Sequence, residues 1–187
     1  EPATGLEIWR GKVSDIDEAV QRARRAWPGW AAQPLSTRME LVRRFANEVR
    51  KDAEKLATAI ARETGKPLWE AHVEVENVIA KVEISIRAFA ERTAQRKLDS
   101  AMQGSLAVRH KPHGVMAVLG PYNMPAHLPN GHIVPALIAG NAVVFKPSEK
   151  APACGEMITR CFHRAGISAA VTDSSIEKLI SNGIRTE

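Results

Sequence analysis

Apolar runs long enough to cross a bilayer are missing from these 187 residues; a helical span needs about 20 of them in a row, so no membrane span is expected. Aromatic residues are scarce, with one Tyr, four Phe and four Trp. None of them is interleaved with basic residues in the way that stacks the bases of a single strand. The net charge of +5 invites a nucleic-acid partner. Yet the cations alternate with acids along Arg43, Arg44, Glu48, Arg50, Lys51, Asp52, Glu54 and Lys55, the pattern of a solvated helix face, and no nucleic acid is expected. Cysteine is limited to Cys154 and Cys161, too far apart along a helix for a disulfide and without a CxxC or Cys/His zinc pattern. Both are expected to be reduced, packed thiols of a cytoplasmic protein. His110, His113, His127 and His132 have no acidic partner at an obvious position, so no metal site is expected. The chain opens without Met and without a basic-then-apolar leader, which points to trimming or a start in mid-protein and gives no sign of export.

What remains is 44% apolar and 25% charged, enough for one compact domain or a domain with an appendage. The chain divides near residue 98. Before it the pattern is helical. Ser14 can cap a helix over residues 15–26, with Asp15, Asp17 and Glu18 in its first turn, and Pro28 with Gly29 ends it. Ser36 starts a second helix whose apolar face is Leu41, Phe45, Val49, Ala53, Leu56 and Ile60. Gly65 stops it, and Pro67 opens a third helix with Trp69, Val73, Ile79, Val82, Ile86 and Phe89 on its core stripe.

After residue 98 strands appear. Residues 105–111 alternate like a strand with one wet face. Residues 115–119 form a short apolar run, the mark of a strand buried on both faces. A Gly/Pro/Asn loop, an apolar helix around 130–139 and a second buried strand at 142–145 follow. Pro152 begins a last helix that Gly166 closes. This βαβα order predicts an α/β fold: N-terminal helices plus an incomplete doubly wound, Rossmann-like parallel sheet, with ligands at the C-terminal ends of the strands.

Two stretches sit at those ends. Gly-Pro-Tyr-Asn-Met-Pro at 120–125 follows the first buried strand, and Phe-Lys-Pro-Ser-Glu at 145–149 follows the second. Joined by Gly-Asn-Ala-Val-Val at 140–144, and preceded by Glu-Pro-Ala-Thr-Gly at 1–5 and Glu-Thr-Gly-Lys-Pro at 63–67, they resemble the N-terminal part of the aldehyde dehydrogenase superfamily over residues 1–167. The run His-Leu-Pro-Asn-Gly-His-Ile-Val-Pro-Ala-Leu at 127–137 and Arg-His-Lys-Pro-His-Gly at 109–114 are most similar to the succinylglutamate-semialdehyde dehydrogenases of bacterial arginine catabolism.

The resemblance implies NAD-dependent oxidation of a small-molecule aldehyde to a carboxylate. Asn123 matches the family amide that helps build the oxyanion hole, a donor that carries no charge; the plainer alternative is a turn beside Pro121. Lys146 and Glu149 match the pair that holds the adenosine ribose hydroxyls. A carboxylate there accepts from a free 2′-hydroxyl and repels a 2′-phosphate, which implies NAD rather than NADP; the alternative is a surface ion pair. Leu119, Gly120 and Pro121 are expected to line the same cleft, with Gly120 allowing close approach. Residues 99–111 resemble the family's outlying β-arm, which implies a homo-oligomer.

The resulting organisation is a helical part of the NAD-binding domain at 1–98, an oligomerisation β-arm at 99–113, the βαβα part at 114–167 and an atypical tail at 168–187. The family's nucleophilic Cys and water-activating Glu have no match here, and neither Cys154 nor Cys161 corresponds to the nucleophile. The tail reads as a polar turn with a short capped helix, which would leave two strands without a neighbour. The chain is therefore expected to be inactive by itself: the N-terminal portion of a dehydrogenase, or alternatively a non-catalytic truncated remnant acting as a binding or oligomerisation module.

Overall fold

The structure, a computed structural model, describes residues 1–10, 15–93, 96–99 and 105–174. Four helices come first, α1 (Ile16–Ala31), α2 (Leu35–Lys51), α3 (Ala53–Thr64) and α4 (Leu68–Thr93). A hairpin of β1 (Arg96–Asp99) and β2 (Ser105–Val108) follows, then β3 (Val115–Leu119), α5 (His127–Ile138), β4 (Ala142–Lys146), α6 (Pro152–Arg164) and β5 (Thr172–Ser174). The two strands pair antiparallel; β2 falls within the stretch expected to be an arm, while β1 begins at Arg96, in the part expected to be helical. The main sheet is parallel, in the order β3-β4-β5.

The helix α1 is capped by the Asp15 carboxylate, which accepts from the amides of Asp17 and Glu18 at 2.9 and 3.2 Å; Ser14, the expected cap, lies outside the described residues. Pro28 does not end this helix, which runs on to Ala31. Proline costs the ladder its own N–H and crowds the carbonyl four residues back, but tertiary bonds hold the turn beyond it. The Trp27 indole donates to the Gly140 carbonyl and the Trp30 indole to that of Leu137. Buried Arg38 donates to the carbonyls of Ala31, Gln33 and Ile138, tying the ends of α1 and α5 together.

The single helix expected from Ser36 to the Gly65 stop is two helices, α2 and α3, broken at Asp52 (φ −103°, ψ 14°). Arg164 of α6 clasps Glu48 and Asp52 across the break, and Phe162 of α6 stacks on Phe45 of α2 with ring centroids 3.7 Å apart. Gly65, at φ 77°, ends α3 as expected. In α4 the core stripe is Ala71, Val75, Val78, Val82 and Ile86. Trp69 and Val73, expected on it, are 69% and 51% exposed. They form their own i, i+4 row, turned away from the helices that α4 packs against.

The strand β3 has the expected limits, but not the expected burial. Ala117 and Leu119 are exposed, because α1 covers only part of their face. The strand β4, flanked on both sides, buries all but Lys146. The sheet is also not left with two strands. β5 adds to β4 in parallel, with Val144 opposite Asp173, and the His163 ring bonds the Thr172 carbonyl at 2.8 Å. Among the described residues no helix is long and apolar enough to cross a membrane.

Candidate functional site at the strand ends

Register places the first candidate pair. Asn141 accepts from the amides of His113 and Gly114 through Oδ1 while its Nδ2 donates to the Ala136 carbonyl, so β3 and β4 start level. Leu119 then stands opposite Lys146, and the Gly120 amide donates to the Lys146 carbonyl at 2.9 Å. Residues opposite one another share a face of the sheet. Leu119 and Lys146 accordingly line one groove, about 610 Å³, whose other walls are Val115, Ala117 and Val144 with Val20 and Trp27 of α1. Lys146 Nζ is 3.0 Å from Glu149 Oε2. Glu149's own backbone amide, and then Lys146, hold its carboxyl below the ordinary value.

Two glycines set this corner. A Cβ on Gly120 would stand 2.9 Å from Pro129 and 3.0 Å from Phe145. Gly120 is thus demanded by the packing of α5 on β4, whereas the sequence suggested room for a ligand. In α6 a Cβ on Gly155 would stand 2.4 Å from Pro147 Cβ. That helix is pressed against the turn that carries Lys146 and Glu149.

Asn123 lies on the loop between β3 and α5. Its side chain is exposed and makes no hydrogen bond within the described residues, so it closes no turn. Its backbone is held firmly. Lys66 donates from Nζ to the Asn123 carbonyl at 2.8 Å and to Glu74 Oε2 at 2.7 Å. Glu74, 1% exposed, accepts from the amides of Ala126 and His127 through Oε1 at 2.9 and 3.1 Å. A carboxylate on those free N–H groups satisfies the start of α5 and meets its positive dipole end. Glu63 does the same for α6, accepting from the amides of Ala153 and Cys154 at 2.8 and 2.9 Å. Both helices that follow a strand thus begin on a buried carboxylate, which leaves no place there for the phosphate that such helix starts commonly bind.

Sequence reasoning passed over Lys66, Glu74, Glu63 and Gly155. A faint signal existed for Glu74: an acid flanked by Val73, Val75 and Val78 is expensive to bury without partners. Glu63 and Lys66 stood inside a family-like stretch to which no task was given.

Cys154 and Cys161 are free and buried. Burial, with Glu63 beside it, pushes the Cys154 thiol far up, and burial pushes Cys161 up to about 11. Neither offers a thiolate near neutral pH. Among the described residues no group of three or more His, Cys, Asp or Glu side chains could hold a metal ion.

Comparison with known proteins joins these features. The chain is 80% identical over 171 residues to the N-succinylglutamate 5-semialdehyde dehydrogenase of Novosphingobium aromaticivorans, covering 91% of this chain and 36% of that protein. It is 63% identical, over the same shares, to the enzyme of that name from Sphingopyxis alaskensis. The chain therefore spans about a third of the length of these relatives. In three dimensions it matches an aldehyde dehydrogenase from Brucella melitensis biovar abortus with a TM-score of 0.90 at 28% identity, over 96% of this chain and 38% of that one. It also matches an NADP-dependent enzyme of E. coli (TM-score 0.88, 28% identity, 95% and 37%). A third match is an NAD-dependent benzaldehyde dehydrogenase of Corynebacterium glutamicum (0.85, 28%, 94% and 39%). The profile of the aldehyde dehydrogenase family matches residues 1–177, ten residues beyond the stretch legible as family-like and through β5, which removes the ground for reading residues 168–177 as foreign. The chain belongs to the aldehyde dehydrogenase family.

Proposed function

We propose that these residues form the ribose-binding and oxyanion-binding portion of an NAD-dependent dehydrogenase that oxidises N-succinylglutamate semialdehyde to the carboxylate. The observation that carries the cofactor reading is the Lys146–Glu149 pair, 3.0 Å apart, whose lysine lines a largely apolar groove. It offers one charged donor and one carboxylate acceptor to a pair of vicinal hydroxyls. Glu149 keeps its charge through the physiological range and disfavours a 2′-phosphate, which supports NAD over NADP. The bound nicotinamide would supply the hydride acceptor.

Asn123 presents an unengaged amide on a loop whose backbone Lys66 and Glu74 immobilise. A donor held still before charge develops is what stabilises an oxyanion. The attacking thiolate is neither Cys154 nor Cys161, so the isolated chain does not turn over. The exposed Leu106 and Val108 of the hairpin suit a strand edge that pairs with another protomer, and we assign the arm to homo-oligomer formation. The two free thiols suit a reducing compartment, here the cytoplasm.

The test replaces the N-terminal stretch of the Novosphingobium relative that aligns with this chain, 171 residues long, by the matching part of this chain. The chimera should form NADH from N-succinylglutamate semialdehyde. Lys146→Ala and Glu149→Ala should each raise KM for NAD by about tenfold, the scale of one lost hydrogen bond to a charged group. An active chimera whose KM for NAD ignores both changes would refute the ribose assignment.

A further inference from the structure

The helices α4 and α5 run side by side in the same direction. Glu74 meets Ala126 and His127, the Val78 carbonyl accepts from the Asn130 side chain at 3.0 Å, and Lys81 meets Gly131. Helical bonding begins where the Leu128 amide donates to the Met124 carbonyl. His127 and Gly131 therefore stand a turn apart in one row, and Asn123 lies one residue before the first bonded turn. A Cβ on Gly131 would lie 3.4 Å from Lys81 Cε and 4.0 Å from its Nζ, so the ammonium stands over that row. At 1.5 Å per residue Gly131 is about 10 Å along the helix from Met124, the residue next to Asn123.

Lys81 is half-buried and makes no hydrogen bond or ion pair within the described residues. The helix offers it none. Its neighbours at three and four residues are Asn77, Val78, Ile84 and Ser85, without a carboxylate. On the neighbouring α2, by contrast, Arg43 pairs with Glu83 and Arg44 with Glu40. The seam has other unmet polar groups. His127 Nδ1, Asn130 Oδ1 and Ser85 Oγ are buried atoms without a partner.

We propose that Lys81 receives the distal carboxylate of the acidic aldehyde whose reactive end Asn123 serves. This inference rests on the reading of Asn123 given above and adds a specificity determinant to it. The chain from the aldehyde carbon to the far succinyl carboxyl is about as long as three extended residues, about 10 Å. An ammonium–carboxylate contact closes the remaining distance. An unpaired cation at the far end of the row selects a dicarboxylate over an uncharged aldehyde. Gly131 leaves the Lys81 stem uncovered, since a Cβ there would lie in van der Waals contact with it.

The experiment uses the same chimera with Lys81→Met and Lys81→Arg. Lys81→Met should raise KM for N-succinylglutamate semialdehyde about ten- to a hundredfold and leave kcat, KM for NAD and KM for an uncharged aldehyde of similar length within about twofold. Lys81→Arg should restore most of the loss. Equal effects on both aldehydes, or none on either, would overturn the assignment of Lys81. A parent chimera that forms no NADH would instead overturn the function proposed above, and this inference with it.

Discussion

Lys66 Nζ lies 2.7 Å from the Glu74 carboxylate and, with the same ammonium, 2.8 Å from the Asn123 carbonyl. One cation thereby neutralises the acid that starts α5 and holds the loop that carries Asn123. Side-chain exposures of 9% for Lys66 and 1% for Glu74 make the two mutually dependent. A buried charge that loses its partner costs far more than the pair contributes.

Lys66→Met should therefore lower stability by about 3–5 kcal/mol, read as a shift of the urea midpoint. The amides of Ala126 and His127 should exchange faster with deuterium, as Glu74 turns toward solvent. A variant with an unchanged midpoint and unchanged exchange would show that the loop is held by other contacts.

Glu63→Ala removes the acceptor of the first α6 amides. A lost N-cap costs about 0.5–2 kcal/mol, and the dipole term adds to it. Thermal unfolding should register the fall, and Glu63→Gln should recover part of it by accepting without charge. A Gln variant as stable as the parent would mean that the hydrogen bonds matter here and the charge does not.

Gly155→Ala would be expected to strengthen a helix by about 1 kcal/mol from propensity alone. The 2.4 Å approach to Pro147 reverses the sign. Overpacking against backbone-anchored proline costs about 1–3 kcal/mol, and the displaced turn should move the Lys146 and Glu149 resonances in an NMR spectrum. A more stable variant would place α6 farther from that turn than the structure has it.

Both thiols should resist a disulfide reagent near pH 8 in the folded chain and react fully once it is unfolded. Their folded values are raised above the ordinary 9.0. The unfolded chain thus ionises first as pH rises, and the stability these thiols contribute is present below about 9 and is lost as pH climbs toward the raised Cys161 value near 11. Fast labelling of the folded chain at pH 8 would contradict the burial of both.

Local signals were legible wherever a residue acts on its own neighbours. The limits of β3, the stop at Gly65 and the start of α6 at Pro152 follow from spacing, a positive φ and a missing N–H, each complete within a few residues. The Asn123 loop and the Lys146–Glu149 turn were singled out by the family resemblance of short stretches at strand ends, not by spacing or turn chemistry. Tertiary structure alone decided the rest. Pro28 could sit inside α1 because Trp27, Trp30 and Arg38 reach residues about a hundred positions away. Trp69 and Val73 turned outward because the partners of α4 lie on its other side. Lys66 met Asn123, and Lys81 met Gly131, only when α4 came to rest along α5. Hydrophobic period and turn chemistry are properties of a short window. Which charges a buried carboxylate meets, and which cation is left over, depends on elements that pack together from distant parts of the chain.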